Sequence, residues 1–141
     1  MKKILVAVDG SSHSDKVIEE ASKLASALSA KAELLTVLEE ITTWEQEIPQ
    51  SKLKEIHSNR LEKMEKYLQE KAELFSKNNV PLNIRIKKGH PGQVICEVAK
   101  EENFYYIVLG CRGFGGIANM LLGSVCNRVA HCAETNVIII K

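Results

Sequence analysis

The chain has 141 residues, of which 45% are hydrophobic, 26% charged and 5% aromatic, with a formal net charge of +1. That size and balance predict one globular domain over residues 1–141. The near-neutral charge and the scarcity of aromatic rings exclude a broad electrostatic grip on nucleic acid or an anionic membrane, and a base-stacking platform.

Lys3–Val8 (KILVAV) is an almost unbroken apolar run, the pattern of a central strand buried on both faces. It is too short for the hydrophobic core of a signal peptide, and no stretch approaches the ~20 apolar residues that span a bilayer. A cytoplasmic protein with no membrane partner is expected. DGSSHSD follows as a turn-and-cap cluster, with Ser12 and Asp15 spaced as a loose capping box. His13 beside this cap reads as solvent-exposed. Val17, Ala21, Leu24, Ala25 and Leu28 recur at helical spacing, predicting a helix over Ser14–Leu28.

Ala32–Leu38 is the second strand. The connection EEITTWEQEIPQ is irregular, and its Trp44 reads as a lid or packing residue. Leu53, Ile56, Leu61, Met64, Leu68, Ala72 and Phe75 keep one apolar stripe along a long helix, Ser51–Lys77. A coiled coil is the competing reading, but its repeat fails at Lys71. Leu82–Lys87 alternates at period two, as a strand near a sheet edge does. KGHPG turns the chain into a helix over Pro91–Glu101, with proline in its first turn. His90, in that turn, reads as structural, and His57 and His131 as helix-surface or core-edge residues. FYYIVL is the fourth strand, Ser124–Ala133 the last helix and Val137–Ile140 the fifth strand.

Strands alternating with helices predict an α/β fold, a doubly wound, Rossmann-like five-stranded parallel sheet with helices on both faces. The four cysteines, Cys96, Cys111, Cys126 and Cys132, contain no C-x-x-C pair and read as free thiols filling apolar space.

Five of the eight glycines fall between Gly110 and Gly123, directly after the fourth strand. In open α/β sheets ligands bind beyond the carboxyl ends of the strands, where strand order reverses. With the order 3-2-1-4-5, the Asp9 turn and the glycine segment open into one crevice. One wall offers a carboxylate, the other main-chain N–H groups, a pairing that suits a nucleotide. Gly123 and Ser124 add a helix N-terminus that attracts phosphate, although they also read as an ordinary helix stop and N-cap. No P-loop lysine motif is present, and no G-x-G-x-x-G follows the first strand. No two carboxylates are placed for acid–base chemistry.

The spacing G-x2-G-x9-G-[ST], met by Gly110, Gly113, Gly123 and Ser124, resembles the universal stress protein family. ILVAVDGSSHSDKVIEEA and KKGHPGQVICEVA resemble its first strand and helix and its turn before the third helix. The resemblance covers the whole chain and implies a HUP-type fold and the ATP-binding branch of the family. It implies that Asp9, with Ala7 and Val8, contacts ribose or adenine and that Val37 packs on adenine. Leu109, Gly110, Cys111, Arg112 and Gly113 would then wrap ribose and phosphate, and Gly123, Ser124 and Val125 would hold the phosphates. Arg112 stays open between a phosphate contact and a solvated side chain. Any metal, Mg2+ or Mn2+, would be held mainly by the phosphates. A nucleotide-dependent switch or binding module is the first reading of function; a slow ATPase, or a binder of another adenine nucleotide such as AMP, is the alternative. The chain departs from the family in having Glu134-Thr135-Asn136 where a proline often precedes the fifth strand. The apolar run Val137–Ile140, at a sheet edge, predicts a homodimer paired edge to edge, which the resemblance also implies.

Overall fold

The computed structural model describes residues 1–40, 47–111 and 122–141. Strands and helices alternate as β1 (Lys3–Ala7), α1 (Ser12–Ala27), β2 (Lys31–Leu38), α2 (Gln50–Lys77), β3 (Leu82–Lys88), α3 (Pro91–Glu101), β4 (Tyr106–Gly110), α4 (Ser124–Cys132) and β5 (Asn136–Ile140). All pairings are parallel, and the order is β3-β2-β1-β4-β5. The expected doubly wound sheet is therefore present.

Side-chain alternation on the strands divides the core into two layers. Ile4, Val6 and Val8 pack with Val17, Ile18 and Ala21 of α1 and with Leu68 and Phe75 of α2. Leu5 and Ala7 face the other way, onto Ile95 and Val98 of α3 and Val125 and Val129 of α4. This two-sided burial is why β1 is apolar from Ile4 to Ala7. β3, at an edge, turns Leu82, Ile84 and Ile86 inward and places Asn83 and Arg85 on the opposite face. β5 forms the other edge. Ile138 and Ile140 pack on one layer and Val137 and Ile139 on the other, and all four remain only partly buried.

Three helices end alike. Ser29, Asn79 and Asn103 take left-handed backbone with φ of 51°, 55° and 53°. The next N–H in each case reaches back to the helix, from Ala30 to Ala25 O, Val80 to Phe75 O and Phe104 to Ala99 O. This Schellman closure buries an apolar residue just past the helix and feeds the chain towards the next strand. It also explains why β4 begins at Tyr106 and not at Phe104: Phe104, 4% exposed, belongs to the stop of α3.

The cysteine expectation is corrected. Cys96 on α3 and Cys132 on α4 form a disulfide with Cα atoms 6.3 Å apart. The two helices lie side by side on one face of the sheet, which brings together residues separated by 36 positions. Cys111 and Cys126 are free and buried.

Candidate functional site

The carboxyl end of β1 is organised by Asp9. Its Oδ1 accepts the Ser11 N–H at 3.0 Å and the Ser14 hydroxyl at 2.9 Å, while its own N–H donates to Ser14 Oγ at 3.2 Å. These bonds replace the expected capping box. Ser11 is the N-cap of α1, Ser12 already lies in the helix, and Asp9 supplies the order that a Ser12–Asp15 pair would have given. Gly10 allows the turn: its φ is +80°, and a Cβ there would meet Met64 Cε at 3.0 Å. The Ser11 hydroxyl is buried with no hydrogen-bond partner among the described residues.

Beyond β1 and β2 lies an open cavity of about 460 Å³. Asp9 and Gly10 form one side, Thr36–Glu39 the strand end, and Pro91 the start of α3. Thr36 donates to the Val8 carbonyl at 2.9 Å, which ties the two strand ends together. Val37 is 6% exposed at the cavity, whereas Ala7 and Val8 are 2% exposed beneath it. The far wall was not read from the sequence. It consists of Arg60, Lys63, Met64 and Tyr67 on α2. Their spacing of three, one and three residues sets them on one helical face, the only sequence signal that could have marked them. Arg60 donates to the Glu39 carbonyl from both terminal nitrogens at 3.4 Å. Tyr67 donates to Asp15 Oδ1 at 2.7 Å, and burial, followed by the Asp15 carboxylate, pushes its phenol well above the ordinary tyrosine range.

At β4, Leu109 is fully buried and Cys111 nearly so. The Cys111 N–H donates to the Ile140 carbonyl at 3.1 Å, and the Cys111 carbonyl accepts the Gly123 N–H at 2.8 Å. The two ends of the glycine segment are thus joined, and the start of α4 stands beside the end of β4. Gly123, not Ser124, is the N-cap of α4, and no side chain caps it. Ser124 is exposed in the first turn and Val125 is buried behind it. The first-turn N–H groups of Ser124, Val125 and Cys126 face the helix end, where the partial positive charge of the axis lies. Burial, then the neighbouring Cys111, pushes the Cys126 thiol up, so it stays protonated and apolar.

Gly110 has a packing reason for being glycine. A Cβ would lie 2.5 Å from His13 Cδ2 and 3.0 Å from Val17 Cγ2. His13, expected in solvent, is instead partly buried, with Nε2 donating to the Ile140 carbonyl at 3.0 Å. Because a carbonyl only accepts, this contact places the proton on Nε2. Trp44, Arg112 and Gly113 lie outside the described residues, as do residues 117–121. Of the predicted site residues that are described, Asp9 and Val37 line the cavity, whereas Leu109, Gly110, Cys111, Gly123, Ser124 and Val125 are not among its described lining. Among the described residues no group of three or more His, Cys, Asp and Glu side chains could hold a metal, and no helix is long and apolar enough to cross a membrane.

The universal stress protein family model matches residues 1–141. A universal stress protein of Bacillus subtilis, YxiE, is 31% identical over 145 aligned positions, covering 99% of this chain and 98% of its own. Among solved structures, universal stress protein UspA from Lactobacillus plantarum superposes with a TM-score of 0.87 at 23% identity, over 99% of this chain and 97% of that one. A universal stress protein in complex with cAMP gives a TM-score of 0.72 at 24% identity, over 99% and 96% of the two chains.

Proposed function

Since the chain belongs to the universal stress protein family, we propose that it is a binding module for an adenine nucleotide, ATP first, whose occupancy alters a surface read by other proteins. One observation supports the reading: the Gly123 N–H to Cys111 carbonyl bond sets the uncapped start of α4 at the end of β4, the strand paired with β1, whose carboxyl end leads into Asp9. A nucleoside fits a cavity of the size found at Asp9 and Val37, and a phosphate chain suits free N–H groups at a helix start. The orphaned Ser11 hydroxyl offers a further polar contact. Within this reading Asp9 and Val37 hold the nucleoside over Ala7 and Val8. Leu109, Gly110, Cys111, Arg112 and Gly113 line the ribose and phosphate path, and Gly123, Ser124 and Val125 hold the phosphates. A divalent cation, Mg2+ or Mn2+, would neutralise the phosphates and be held mainly by them.

Binding is favoured over slow hydrolysis by the positions of the two nearest proton acceptors. His13 is turned to a β5 carbonyl, and the Asp9 carboxylate is engaged by Ser11 and Ser14. The structural relative in complex with cAMP supports a second reading, an adenine monophosphate ligand. Calorimetry with ATP, ADP and AMP, paired with a phosphate-release assay, separates these cases. Saturable ATP binding that falls by about 1–3 kcal/mol in Asp9→Asn, the range for a hydrogen bond to a charged group, is expected. No saturable binding of any adenine nucleotide overturns the proposal.

A further inference from the structure

The Cys96–Cys132 disulfide stands at the contact between the two helices whose N-termini flank the candidate site. Pro91 opens α3 and lines the cavity, and Gly123 caps α4 beside Cys111. The helices meet closely at their crossing. Cys132 Sγ is 3.8 Å from the Gly92 carbonyl oxygen, and a Cβ on Gly92 would lie 2.8 Å from Arg128 Cδ. Cys132 is exposed and Cys96 half-buried, so the pair lies at the protein surface. Cys111 and Cys126, in contrast, are buried. Besides the disulfide, α4 is held by a short apolar face, Val125, Cys126 and Val129, by the Gly123 N–H bond to the Cys111 carbonyl, by Arg128 against Gly92 and by an exposed Lys100–Glu134 ion pair just past its end.

We propose that Cys96 and Cys132 form a reversible redox clamp that ties the last turn of α4 to α3 and so, through this short helix, sets nucleotide affinity at its start. The affinity claim rests on the nucleotide reading above; the clamp does not. Closure uses a low-molecular-weight disulfide such as oxidised glutathione. The Cys132 thiolate attacks one of its sulfurs and expels one glutathione thiolate. The Cys96 thiolate then attacks Cys132 Sγ in the mixed disulfide and expels the second. Both protein thiols give their protons to water, the protein loses two electrons, and oxidised glutathione becomes two thiols. Opening is the reverse. The buried Cys111 and Cys126 take no part, because exchange needs an accessible thiolate.

The experiment equilibrates the full chain in glutathione buffers of graded ratio, then traps thiols with an alkylating reagent for intact mass and peptide mapping. A single two-electron transition confined to Cys96 and Cys132 is expected. Hydrogen exchange at the amides of 127–132 should slow on oxidation. ATP should bind the two forms with affinities differing about fivefold or more, the lower range of a site-to-site coupling. Cys96→Ser and Cys132→Ser should each behave as the reduced protein in both buffers, and dithiothreitol-treated wild type serves as the same state without a substitution. A pair that stays reduced in excess oxidised glutathione, or exchange at 127–132 indifferent to oxidation, overturns the clamp. Altered exchange with equal ATP affinities overturns its control of the site. Altered exchange with no ATP binding in either form leaves the clamp standing and removes the nucleotide reading.

Discussion

Gly110→Ala is the substitution whose consequence can be worked most directly from the packing. The added Cβ would stand 2.5 Å from His13 Cδ2, 2.8 Å from His13 Nε2 and 3.0 Å from Val17 Cγ2. Carbon contacts settle near 3.5 Å, so the imidazole must retreat by about 1 Å. It cannot do so freely, since its Nε2–H is bonded to the Ile140 carbonyl at 3.0 Å. Val17 is β-branched within α1 and stiff about its first torsion. Overpacking of this kind costs about 1–3 kcal/mol, and loss of the hydrogen bond adds about 1 kcal/mol. The expected destabilisation is therefore about 2–4 kcal/mol. At roughly 4 °C per kcal/mol for a chain of this length, the melting temperature falls by about 8–16 °C. Urea unfolding followed by circular dichroism reads the change as a lower midpoint at constant slope. His13→Ala in the same chain removes the obstacle, so the double variant should be more stable than the two single losses added together, by about 1–2 kcal/mol. A Gly110→Ala protein as stable as wild type, or strictly additive variants, would refute the packing account of this glycine.

Arg85→Ala should cost about 2–3 kcal/mol, since it leaves Glu33, whose side chain is 9% exposed, without the guanidinium 2.7 Å away; the loss should shrink in a Glu33→Gln background, and an equal loss there in urea titrations would contradict the cause. Asp15 is held below the ordinary carboxylate range first by the Tyr67 hydroxyl and then by Lys71. Its depressed folded value makes the contribution present above the unfolded carboxylate value near pH 4 and lost as pH falls below it. With Asp15 about half exposed, that contribution is under about 1 kcal/mol, and Tyr67→Phe should flatten the acid limb of stability against pH. For the edge-to-edge homodimer proposed at β5, proline at Ile138, Ile139 or Ile140 removes one ladder donor each. At least one of the three should reduce the mass seen by light scattering, and a wild-type chain that stays at 15.7 kDa across the micromolar range excludes the dimer.

Local pattern determined the element order and most element positions. α3 begins and ends where its proline and apolar spacing place it, and β1 is legible because burial on both faces forces an almost unbroken apolar run. The doubly wound parallel sheet followed from the same alternation, since right-handed crossovers leave few topologies, and the expected order 3-2-1-4-5 is the one observed. The closures just past the helix ends were not legible. Ser29, Asn79 and Asn103 close α1, α2 and α3 in left-handed backbone without the glycine that usually announces it.

Only the tertiary structure decided what meets across the sheet. His13 finds its carbonyl 127 residues away, at Ile140. Cys96 and Cys132 pair because α3 and α4 lie side by side, not because of any spacing between them. Arg60 and Lys63 reach the cavity because α2 runs past the ends of β1 and β2. Gly110 is glycine because α1 lies against β4 there. The physical reason is common to all four. Periodicity and capping record which face of an element is buried, through interactions a few residues long. Which side chains meet on that face depends on strand register and on how each helix crosses the sheet, and these arise only when the whole core packs at once.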